Sequence, residues 1–112
     1  MKVLDWICAV VVLALGVVHC ALTPVLYRTF SLAALWFFAA GLALIFAGML
    51  NVLRLKSVGS PLAGTFALIA NACLLAFVLL FALKINLAHN PQGVVLIVAL
   101  AGELLFSLSR RK

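Results

Sequence analysis

A chain of 112 residues is one domain at most. Hydrophobic residues make up 69% of it and charged residues only 9%, which excludes an ordinary soluble globular protein. The net charge of +6 would suit nucleic acid, but the eight Lys and Arg are spread over the ends of apolar runs and form no patch, which excludes that partner.

The charges act as punctuation instead. The intervals Asp5–Arg28, Arg28–Arg54 and Lys56–Lys84 carry no charge between their ends. Each is longer than the roughly 20 apolar residues that a membrane helix needs. A fourth, shorter apolar run follows from Gly93. The expected fold class is therefore an all-α membrane protein, an up-down bundle of four transmembrane helices at about 3–22, 31–53, 61–83 and 93–109. An even number of spans puts both termini and the middle loop on one side. That side holds Lys2, Arg54, Lys56, Arg110, Arg111 and Lys112, and the other only Arg28 and Lys84. By the positive-inside rule both termini are cytoplasmic, and the expected location is the cell membrane, crossed several times.

On the first helix, residues placed at 100° steps bring Asp5, Cys8, Val12, Gly16, His19 and Thr23 onto one narrow face. A polar stripe of that kind should face protein. Thr23-Pro24 is expected to end the helix, and Tyr27-Arg28 to anchor it at the interface. Met1-Lys2 before an apolar run also fits a signal peptide. Val17-Val18-His19-Cys20 resembles a lipoprotein cleavage site, but that site needs a small residue where His19 stands, and no soluble mature domain follows.

The second helix opens with the aromatic cluster Trp36-Phe37-Phe38. It carries a face of small residues, Ala33, Ala40, Gly41, Ala47 and Gly48, ending in Asn51, which suits close helix packing. Arg54 to Ser60 reads as a flexible polar loop, with Pro61 in the first turn of helix 3. That helix carries Ser60, Gly64, Ala67, Asn71 and Ala82 on a common face. His89-Asn90-Pro91 reads as a turn before helix 4. The histidine–proline pairs closing helices 1 and 3 make a faint internal echo.

Helix 4 carries Glu103, with Leu96, Ala99, Leu100, Ser107 and Arg110 on the same face. An ionised carboxylate inside such a run needs a partner, a proton or water. At 1.5 Å per residue, Asn71 lies roughly 15 Å from the start of helix 3 and Glu103 roughly 10 Å from Arg110, so the two are neighbours in depth. Ser107 is placed to donate to the carboxylate. Asp5 is expected in an ion pair, with Lys2 or with the Arg54–Lys56 loop. The expected substrate- or proton-binding residues are thus Glu103, Asn71, Asn51 and His19.

Cys8, Cys20 and Cys73 lack metal-ligand or redox spacing and read as free thiols. His19 and His89 form an incomplete metal set; as opposed ligands they would suit haem, a weaker reading, so no cofactor is expected. No catalytic triad, paired catalytic carboxylates or phosphate loop is present, and an enzyme is not expected.

In length and span count the chain is similar to the small multidrug resistance transporters. Those proteins resemble one another around a glutamate in the first membrane helix, whereas here helix 1 offers Asp5 and His19 and the deep carboxylate is Glu103 in helix 4. The six-to-two charge bias also argues for a single orientation. The leading expectation is a transporter or permeability factor for a lipophilic or cationic solute, with Glu103 protonatable. The alternative is a non-catalytic membrane module that packs against a larger partner through its small-residue faces. The expected partners are the lipid bilayer and further copies of this chain, or a larger membrane protein.

Overall fold

The computed structural model describes residues 2–57, 59–84 and 91–110, excepting the side chains of 92, 109 and 110. They form four helices: α1 (Lys2–Leu26), α2 (Leu32–Lys56), α3 (Pro61–Ala82) and α4 (Pro91–Arg110). The first three are long and apolar enough to cross a membrane; the apolar stretch of α4, Gly93–Leu108, is shorter. Helix α1 packs on α2 and α4, and α3 on α2 and α4, so each helix has two main neighbours and the bundle closes on itself.

The helix ends follow local chemistry. Ser31 caps α2 by accepting the Ala34 N–H at 3.1 Å, and Ser60 caps α3 by accepting the Ala63 N–H at 3.3 Å. Pro61 occupies the first turn of α3, where its missing N–H costs nothing. Between these helices Gly59 adopts φ 91°, a left-handed turn that a side chain would strain. Two boundaries differ by more than two residues from the sequence expectation. Helix α1 runs through Pro24 to Leu26, because a proline in the last turn forfeits only one backbone bond, and the Thr23 hydroxyl donates to the His19 carbonyl at 3.1 Å beside it. Helix α2 continues to Lys56, which takes Arg54 out of the loop and places it on the helix.

The interior inverts that of a soluble protein. Its buried apolar residues are mostly small (Ala9, Ala34, Ala47, Ala63, Ala67 and Ala99), while large apolar side chains such as Leu32, Trp36, Phe77 and Leu105 point outward. An exterior of this kind is satisfied by hydrocarbon and not by water. Across the axis, Val12, Leu44, Ala47, Ala99 and Leu100 form one apolar plug, with Ala70 and Leu74 of α3 packed against it.

The stripe on α1 faces inward, with Asp5, Val12, Gly16 and Thr23 buried and Cys8 and His19 half-buried. Its counterpart is the small-residue face of α2, where backbones nearly touch. A Cβ added at Gly48 would lie 2.8 Å from the Cβ and 2.9 Å from the Cα of Leu13; one at Gly16 would lie 2.7 Å from the Ile45 nitrogen. These glycines are therefore occupied by the α1–α2 contact within one chain. Only Ala33, at the edge of that face, is exposed. At Gly64, by contrast, an added Cβ would meet nothing within 4 Å. Gly48→Val should accordingly destabilise the bundle by about 1–3 kcal/mol, the usual cost of overpacking, while Gly64→Ala should be neutral or better. Thermal unfolding of both variants in detergent checks this, and equal midpoints would refute the close packing.

Candidate functional site

Near the end of the bundle where α1 begins and α2 finishes, the polar residues of all four helices converge. Asp5 is in the first turn of α1, and its hairpin partner Arg54 is in the last turn of α2. Arg54 does not extend toward the helix end, as a long cationic side chain at such a position usually does. Its side chain turns into the bundle and is only 5% exposed. One guanidinium nitrogen donates to Asp5 Oδ2 at 3.0 Å. The other donates to Asp5 Oδ1 at 2.8 Å, to Glu103 Oε2 at 2.9 Å and to Asn51 Oδ1 at 3.2 Å. The contact with Asp5 is thus bidentate, the strong planar arrangement that only arginine offers.

An amide network continues from this centre. Asn51 and Asn71 exchange two hydrogen bonds: Asn51 Nδ2 donates to Asn71 Oδ1 at 2.8 Å, and Asn71 Nδ2 to Asn51 Oδ1 at 2.9 Å. Asn51 also donates to the Ala47 carbonyl at 2.9 Å, and Asn71 to the Ser107 hydroxyl at 3.0 Å. Ser107 itself donates at 2.7 Å to the backbone carbonyl of Glu103, one turn earlier on α4. Asp5, Asn51, Asn71, Glu103 and Ser107 are all fully buried. Two atoms of this cluster, Arg54 Nε and Glu103 Oε1, have no hydrogen-bond partner among the described residues. Both belong to the same ion pair.

Three of the four expected site residues, Glu103, Asn71 and Asn51, are therefore in one constellation. His19 is elsewhere. Fourteen residues beyond Asp5 on α1, it lies roughly 20 Å away along the helix and stacks on Phe37 with ring centroids 3.8 Å apart. Tyr27 meets the same ring at 5.4 Å. His89, the second histidine of the metal or haem reading, lies outside the described residues. Among the described residues no three His, Cys, Asp or Glu side chains gather as metal ligands.

Some expected contacts are redirected. Asn71 reaches Glu103 indirectly, through Ser107 and through Asn51 and Arg54, and Ser107 serves the backbone of Glu103 instead of its carboxylate. Of the two partners expected for Asp5, the structure selects the Arg54 side. Lys56, also on α2, lies over the Trp6 ring at 5.8 Å and closes the same end of the α1–α2 hairpin.

Arg54 is absent from the expected site because a basic residue near a helix end reads as a topology signal. Its spacing from Asn51 carries the clue: three residues apart on a helix, the two share a face. In energetic terms Arg54 is the least replaceable member. Arg54→Gln leaves two carboxylates buried with no counter-charge, and breaking a buried pair from one side costs about 3–5 kcal/mol. Glu103→Gln and Asp5→Asn each leave one acid facing one base, and should cost about 1 kcal/mol. Unfolding of the three variants in mixed micelles measures the asymmetry. An Arg54→Gln protein as stable as Glu103→Gln would refute it.

Comparison with family models, with curated proteins and with solved structures finds no match for this chain.

Proposed function

We propose that the chain is a four-pass protein of the cell membrane, with both termini cytoplasmic, that couples passage of a lipophilic or cationic solute to protonation of Glu103. One observation carries the reading: two carboxylates, Asp5 and Glu103, share a single guanidinium in a fully buried site. One acid is in excess. The site is neutral only when it holds one proton or one added positive charge, and an uncompensated buried charge is strongly unfavourable.

This excess gives the bundle two states. With a proton on Glu103 the cluster is neutral, and α4 can stay closed against α1 and α3. Without it, the surplus negative charge calls for water or a cation and weakens that closure. A cationic solute that favours the second state displaces the proton, and differential affinity for the two states is what coupling requires. The apolar plug of Val12, Leu44 and Leu100 supports one-sided access, since it lies across the axis on the side of the cluster away from Arg54. The bundle's own axis is filled there, so the solute path would run along an interface between copies of the chain. A homo-oligomer is part of the proposal.

Two experiments test it. A reporter fused after Lys112 should be active only when facing the cytoplasm; activity confined to the outer compartment would overturn the orientation. Addition of hydrophobic cations to the purified protein should release about one proton per chain, the surplus counted from the charges. Glu103→Gln should abolish that release while leaving folding and oligomer state intact. Identical traces from wild type and variant across a broad set of cations would end the transport reading and leave the interaction module.

A further inference from the structure

The excess acid need not reside on one residue. Asp5 and Glu103 come from helices at opposite ends of the sequence, 49 residues to either side of Arg54, yet both touch the same guanidinium nitrogen at 2.8 and 2.9 Å. The two carboxyls, both fully buried, are thereby brought together on one donor. Two ionised carboxylates on one guanidinium leave a buried negative charge without compensation. A single proton on the pair restores the balance.

The recorded neighbours of the pair come from all four helices. From α1 the groups facing the pair are Asp5 itself and the Cys8 thiol; from α2, Asn51 and Arg54; from α3, Asn71; from α4, Ser107. Arg54 is the one cation among these, and its charge is matched by a single acid. The Asn71 amide and the Ser107 hydroxyl are engaged with Asn51, with each other and with backbone, and neither is directed at Glu103 Oε1. A metal ion is poorly served, because small hard cations want six or more oxygens and the cluster's carboxylate oxygens are largely committed to Arg54.

We infer that Asp5 and Glu103 form a single proton-binding site, one proton held in common across the α1–α4 interface and positioned by Arg54. The inference rests on the proposed role of the cluster as a proton carrier and adds Asp5 as its second half. The proton then belongs to the pair, and neither acid titrates as a separate group. Arg54 is the positioning residue: one of its nitrogens holds both carboxyls together, and it does not itself give up a proton.

The composition makes the site directly observable, since Asp5 and Glu103 are the only acidic side chains in the chain. Infrared spectra of the full-length protein in an ester-free detergent at neutral pH should contain the carbonyl stretch of about one protonated carboxyl per chain, shifting in D2O. Asp5→Asn and Glu103→Gln should each lose the band, because one remaining acid opposite Arg54 has no need of a proton. Glu103→Asp, which keeps two acids, should retain it and guards against a variant that fails to fold. Absence of the band from wild type overturns the inference. A band that persists in Asp5→Asn overturns the sharing and leaves Glu103 as a lone proton carrier, so the transport reading survives. A band that persists in Glu103→Gln overturns both. Disappearance of the wild-type band in sodium buffer but not in choline would replace the proton by an inorganic cation and overturn the inference equally.

Discussion

One guanidinium organises this bundle. Arg54 contacts α1 through Asp5, α4 through Glu103 and, by way of Asn51, the amide of Asn71 on α3. Every helix is thereby joined to a single charged group that has been taken out of contact with water. A membrane interior gives apolar side chains little reason to prefer a neighbouring helix over lipid, so association depends on close packing and on polar bonds. This chain uses both. The glycines of α1 and α2 bring two backbones together, and the Arg54 cluster fixes how α3 and α4 sit against them.

The same constraint explains the inverted composition of the interior. A guanidinium, two carboxylates, two amides and a hydroxyl leave little volume for large apolar groups, and the remaining positions are mostly alanine. Leucine and phenylalanine are displaced to the outer surface, where hydrocarbon receives them at no cost. In the plug of Val12, Leu44 and Leu100 larger apolar residues do fill the axis, and they bound the polar cluster on the side away from Arg54.

Much of this was legible in the sequence because polar residues are scarce in it. With so few of them, the 100° projection that gathers Asp5, Cys8, Gly16 and His19 on one face is nearly free of noise, and the depth of Asn71 and Glu103 follows from the helix rise. The helix ends were less legible. Pro24 reads as a stop, yet a proline within the last turn is tolerated. Arg54 could not be assigned by pattern, since its side chain is long enough to reach either headgroups or the bundle centre. The choice between those directions is made by two acids far away in sequence, and local periodicity contains nothing about them.

The position of Arg54 midway between its two acids also bears on how the chain is built into a membrane. Synthesis delivers Asp5 first, and the α1–α2 hairpin completes the Asp5–Arg54 pair while α4 is still unmade. That pair is neutral, and the glycine contacts can close around it. Glu103 arrives 49 residues later, carried by the helix with the shortest apolar stretch, when its base is already engaged. Burying a carboxylate without a free counter-charge is costly for a helix. Closure of α4 therefore depends on the helices made before it: α1 and α3 act as its receiving surface, and only when it docks does the cluster acquire its second acid.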